Sequence, residues 1–166
     1  MKGKKYECEM IKLTIYEPKI DDLSFRRDLL KDEETMAYNH KWGGTIDFSF
    51  DRWKSWYETW LKDQTGKHFY RYLVNEEKQF VGEIAYHFDE DEQIYLANII
   101  ILAKYRRRGY GRLGLQLLLT EAKKRNVKTI YDNLALDNDA YHLFIEQGFT
   151  EISRDQDLIW LKKDLF

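Results

Sequence analysis

The sequence predicts an α/β (α+β) domain, a mixed central sheet of about seven strands flanked by about four helices, with residues 1–166 as one unit. Three observations carry this. Short segments alternate apolar and polar residues or run continuously apolar, as strands do. Strands near the middle are joined by short polar turns, Asn75-Glu76-Glu77-Lys78 and the acidic run 89–93, which suit antiparallel hairpins. A long amphipathic segment then separates an apolar strand from a later one, as a crossover helix does.

Each element follows in order. Residues 11–16 alternate as a half-buried strand. Asp21 and Asp22 cap a helix carrying Leu23, Leu29 and Leu30, and Trp42-Gly43-Gly44 breaks it. Ser49 caps the next helix, with Phe48 and Trp53 as a hydrophobic staple. Its Trp53, Trp56, Tyr57, Trp60 and Leu61 fall at helical spacing on one face. Strands follow over 69–74, 79–88 and 94–102. The run Ile99-Ile100-Ile101-Leu102 marks the last as central. A long helix starts near Gly109 and buries Leu115, Leu118, Leu119 and Ala122. Lys123, Lys124 and Arg125 suit the negative end of its dipole. A strand over 129–134, a helix over 137–147 ended by Gly148, and two short strands from Phe149 and Asp157 complete the chain.

Composition narrows the function. Aromatic residues make up 16% of the chain, which excludes a disordered polymer. No apolar run is long enough to span a membrane, so no membrane association is expected. One cysteine, Cys8, cannot form an internal disulfide, and a cytoplasmic location is expected. The net charge of −2 disfavours nucleic acid as a partner. The four histidines and Cys8 show no metal-ligand spacing, so no metal is expected.

The strongest chemical signal is Arg106-Arg107-Arg108-Gly109-Tyr110-Gly111, between an apolar strand and a helix start. The first N–H groups of a helix lack internal partners and carry partial positive charge. Glycines admit close approach of a ligand, and arginines add forked donors. Together these suit a phosphate or pyrophosphate. The same stretch spells G-x-G-x-x-G from Gly109 to Gly114, with Asp132 downstream, so a dinucleotide is a rival ligand. Against it, Lys104 and the residues up to Arg108 separate strand from glycine, and the upstream hairpins do not fit a parallel nucleotide-binding half.

The loop resembles motif A of the GNAT superfamily, the acetyl-CoA-dependent N-acetyltransferases, whose pattern Q/R-x-x-G-x-G/A is matched by Arg106, Gly109 and Gly111. The element order is similar along nearly the whole chain. The residues are specific from about Asn98 to Phe149. The resemblance implies a GNAT-like acyl-CoA N-acyltransferase fold and acetyl-CoA as co-substrate. It implies a strand splayed from its parallel neighbour, with Ile100, Ile101 and Leu102 along the pantetheine. Arg107, Arg108, Gly109, Tyr110, Gly111 and Arg112 fall on the pyrophosphate side. A second match ends at Gly148-Phe149. There Asp137 stands at the family's asparagine, so Asn138 is the candidate pantetheine contact. Phe144 stands at the family's tyrosine acid, and Tyr141 is its candidate substitute.

The implied reaction moves acetyl from a thioester to a primary amine of a small molecule or peptide, by direct attack in a ternary complex. An ammonium must first lose a proton. The oxyanion then needs a backbone donor, expected near Ile100. The family's strand glutamate falls at Leu96 or Ala97 and is absent. Glu83 is the candidate base, with His87, Asp132 and water as alternatives. Tyr38, Trp42, Trp53 and Trp56 belong to the region that walls the acceptor in the family. A non-catalytic acyl-CoA sensor is the alternative function. Members are often dimers, so a homodimer is among the expected assemblies.

Overall fold

The computed structural model describes residues 10–166, and Cys8 lies outside them. The strands are β1 (Leu13–Tyr16), β2 (His68–Asn75), β3 (Phe80–Asp89), β4 (Ile94–Ile101), β5 (Thr129–Ala135), β6 (Thr150–Arg154) and β7 (Leu158–Asp164). They form one sheet in the order β1-β2-β3-β4-β5-β7-β6. Helices α1 (Leu23–Lys31), α2 (Glu33–Met36), α3 (Trp53–Trp60), α4 (Tyr110–Lys124) and α5 (Ala140–Glu146) lie between them.

All neighbours are antiparallel except β4 and β5, which α4 joins as the crossover. One face of β3 and β4 presents Ile84, Tyr86, Ala97 and Ile101 to the main core, with Leu115, Leu118 and Ala122 of α4. Gly114 makes this contact close: a Cβ there would lie 2.8 Å from Leu73 Cδ1 and 3.0 Å from Ile99 Cδ1. The opposite face carries Tyr70, Tyr72, Ala85 and Ile100, packed with residues of α1 and α3.

Several boundaries differ from expectation for local reasons. The strand begins at Leu13, not residue 11. The first helical region divides because Asp32 takes an extended conformation and its carboxylate accepts from Thr35 N at 2.9 Å, which starts α2 as a fifth helix. A 3-10 segment, Ala37–Trp42, then ends at Gly43 with φ 103°. Ser49 opens a 3-10 turn, Phe50–Arg52, rather than α3 itself, because its hydroxyl is taken by Asp51. Phe48 and Trp53 do stack, 6.3 Å between centroids. Residues 137–139 form a turn instead of helix, closed by Asn138 Oδ1 accepting from Ala140 N at 2.9 Å.

Candidate active site

β4 and β5 pair only at Tyr95↔Ile130 and Leu96↔Tyr131. Beyond Leu96 the strands run on unpaired, to Ile101 and Ala135. The gap opens into a cleft of about 1310 Å³, lined on one side by Ala97 to Ile101 and on the other by Asp132, Asn133 and Leu134. Backbone direction alternates along a strand. Leu102 N donates to Val81 O at 2.9 Å, so the Ile100 amide also points toward β3. The amides of Ile99 and Ile101 point the other way, into the gap. The oxyanion donor expected near Ile100 therefore falls to its neighbours.

At one end of the cleft stands the start of α4. Gly109 is its N-cap at φ 86°, and Arg107 before it also takes positive φ, 61°. The first internal bond is Leu113 N to Gly109 O, so the amides of Tyr110, Gly111 and Arg112 have no partner within the helix. The loop is tied to α2: Ala103 N donates to Thr35 Oγ1 at 2.8 Å, and Arg106 donates to Thr35 O at 2.7 Å and Ile101 O at 3.1 Å. Arg106 thus serves the loop's shape. Among the described residues Asn138 Nδ2 has no acceptor, and the side chain lines the cleft nearby.

The other end is a chamber beneath α1 and α3. Glu83, fully buried, lies across from Ile100 in register. Both its oxygens accept from Arg26 Nη1, at 2.6 and 2.5 Å, and it accepts also from the Tyr70 hydroxyl and, at 3.3 Å, from Asn98. The Arg26 guanidinium lies over the rings of Trp56, Phe48 and Tyr70, at 4.6, 5.0 and 5.3 Å. Burial works against that charge, but Glu83 and Tyr70 more than offset it and hold it above the usual arginine value. Burial and the neighbouring His68 lower His87 from the ordinary histidine value, against the opposing charge of Asp89. Burial pushes the Asp132 carboxyl well above the usual carboxylate range, opposed only by a hydrogen bond from Asn133 N.

The cleft gathers Glu83, His87, Ile100, Ile101, Arg107, Gly111, Asp132 and Asn138 among the expected residues. Leu102, Arg108, Gly109, Tyr110 and Arg112 do not line it with their side chains. Gly109 and Tyr110 help only through the backbone of the helix start. The side chains of Arg108 and Tyr110 line a separate groove of about 260 Å³ beside Ile11 and Lys12. Leu102 packs into the α1 side of the core instead, and the Arg112 side chain is exposed.

Tyr141 is a correction. It does not face the cleft, although Phe144 one turn on does. The Arg154 guanidinium lies 5.6 Å over its ring. Trp53 is likewise buried away from the cleft, while Tyr38, Trp42 and Trp56 line it. Arg26, Trp60, Tyr70 and Asn98 are site residues that sequence reasoning missed. Arg26 left one signal: it lies between Leu23 and Leu30 on the buried face of α1.

A family model described as Acetyltransferase (GNAT) family matches residues 26–149. A ribosomal protein bS18-alanine N-acetyltransferase of Haemophilus influenzae is 30% identical over 92 residues, which are 55% of this chain and 62% of that relative's length. Among solved structures, a spermidine N-acetyltransferase from Vibrio cholerae, in complex with CoA and spermine, superposes with a TM-score of 0.77. It is 22% identical and covers 92% of this chain and 95% of that one. A Salmonella typhimurium protein solved with its cofactor acetyl-CoA superposes with a TM-score of 0.73 at 18% identity, covering 93% and 94%. The structural likenesses establish the fold, and the matched span runs from Arg26 in the chamber through the gap and α4 to the end of α5. The chain belongs to the acetyltransferase (GNAT) family.

Proposed function

We propose that the protein transfers acetyl from acetyl-CoA to a primary amine of a small molecule or peptide, by direct attack in a ternary complex. The gap between β4 and β5 carries this reading. A thioester lying in it has its carbonyl within reach of strand amides that no neighbour occupies, those of Ile99 and Ile101. The free helix start at α4 suits the pyrophosphate, with Arg107 beside it. Relatives bearing the names of a spermidine and a ribosomal-protein N-acetyltransferase, and one solved with acetyl-CoA, support the same chemistry.

In this reading the amine nitrogen attacks the carbonyl carbon, and the developing oxyanion takes a β4 amide hydrogen bond. Glu83 is the group that takes the amine's proton, onto a carboxylate that Arg26, Tyr70 and Asn98 hold in place. Collapse of the tetrahedral species breaks the carbon–sulfur bond, and the departing thiolate takes a proton. Asp132, whose carboxyl burial pushes well above the usual carboxylate range, lines the same cleft and is the candidate donor of that proton. A cytoplasmic location and a homodimer belong to the reading; the exposed edge strand β6 is a surface for the latter. Among the described residues no helix is long and apolar enough to cross a membrane.

The test is release of free thiol from acetyl-CoA over a panel of primary amines, read beside thermal unfolding with acetyl-CoA, CoA and NAD. Ligand at about a hundred times Kd adds roughly 2.7 kcal/mol. We expect stabilisation by acetyl-CoA and CoA but not NAD, and amine-dependent thiol release. Stabilisation without release for any amine favours the sensor. Stabilisation by NAD alone overturns the reading.

A further inference from the structure

The walls of the chamber narrow the acceptor, and this inference rests on the function just proposed. A polyamine needs free carboxylates spaced along its length. Glu83 is held by Arg26, Tyr70 and Asn98 and serves the reacting nitrogen alone, so it offers nothing to a second ammonium, and Asp137 bonds His40 at 3.1 Å. Asp132 lies where burial favours its uncharged form. Asp139 lines the cleft beside the start of α5 and is, among the described residues, a single free carboxylate there, too few for a chain of spaced ammonium groups. The acidic run 89–92 does not line the cleft: Asp89 Oδ1 accepts from the amides of Asp91 and Glu92, and Glu90 pairs with Lys67.

What the cleft offers instead is rings. Tyr38, Trp42, Trp56, Trp60 and Tyr70 all line the cleft. Trp42 is the informative one. It is 52% exposed, it ends the 3-10 segment that closes at Gly43, and among the described residues no ring packs against it. Most of these rings are occupied by each other and by Arg26, whereas Trp42 presents open apolar surface within a cleft, which is where a ligand gains by covering it. On β4 the floor from Ile100 to Leu96 spans four residues, roughly 13 Å. That accommodates an amine and a ring beyond it.

We propose that the acceptor is a monoamine carried on a flat apolar body, of the arylalkylamine class, with Trp42 covering the ring, and not a polyamine. The experiment is calorimetric titration of the protein loaded with CoA, using phenethylamine and spermidine at matched ionic strength, on the parent protein and on Trp42→Ala. Phenethylamine should bind at least tenfold more tightly than spermidine. Trp42→Ala should weaken phenethylamine at least tenfold while the stabilisation by acetyl-CoA is retained, which shows the variant folded and its coenzyme end intact. Spermidine binding as tightly as phenethylamine, no binding of either, or phenethylamine binding indifferent to Trp42→Ala each overturns the proposal. Phenethylamine binding as expected with no thiol release from any amine supports the acceptor class and sinks the catalytic reading, so the two failures are distinct.

Discussion

Arg26 and Glu83 sustain the acceptor side of the cleft, and each is intelligible only through the other. A buried carboxylate without a partner is costly, and so is a buried guanidinium. Removing one partner leaves the other unpaired, so Glu83→Gln should lose about 3–5 kcal/mol of stability, read by urea unfolding. The double variant Arg26→Met with Glu83→Met should recover most of that stability. If the carboxylate is needed for proton transfer, the double variant folds, still gains stability from acetyl-CoA, and has lost turnover. Full turnover in it removes Glu83 from the chemistry. Glu83 was legible in the sequence as a charge sharing one strand face with Val81, Ala85 and His87. Its three donors were not, because Arg26, Tyr70 and Asn98 come from α1, β2 and β4. A side chain's partners across three elements are a product of packing, and no local spacing encodes them.

At the scale of elements, α4 separates binding from folding through two glycines three residues apart. Gly111 faces the cleft, where a Cβ would lie 3.4 Å from Leu143 Cδ2 on α5. Gly114 faces the sheet, where a Cβ would press on Leu73 and Ile99. Gly111→Trp should therefore abolish stabilisation by acetyl-CoA while leaving the unliganded unfolding midpoint nearly unchanged. Gly114→Val should lower the midpoint, by about 1–3 kcal/mol of stability, with coenzyme stabilisation retained at low temperature. Equal effects from both would mean that the helix start is structural only. The loop, its helix and the hairpins were readable because hydrophobic period, turn residues and glycine positions are local properties. The end of α1 and the start of α5 were misplaced because Asp32 and Asn138 spend their side chains on nearby backbone amides, a competition that periodicity does not register. Tyr141 misled for a related reason: one turn of α5 separates it from Phe144, yet only Phe144 meets the cleft.

For the whole molecule, two partly buried groups that line the cleft pull the pH dependence of stability in opposite directions. The folded chain resists protonating His87, so below its ordinary value near 6.5 the unfolded chain binds the extra proton. That contribution is complete above about pH 6.5 and lost as pH falls toward the lower folded value. Asp132 behaves oppositely. Its folded form keeps a proton that the unfolded chain gives up above about 3.9, so stability declines as pH rises through the raised folded value. Asp132→Asn should raise the unfolding midpoint at pH 8 and leave it unchanged at pH 4, as thermal scans across that range would show. A midpoint unchanged at both would place the carboxyl in contact with water. The gap between β4 and β5 adds something of another kind. Apart from the two paired positions, the sheet is a ladder missing its middle rungs, with the N-terminal four strands on one rail and the last three on the other. A protein that wanted only rigidity would have closed it. Here the vacancy is the shape of a guest strand, and the molecule that fills it is made by metabolism instead of by translation.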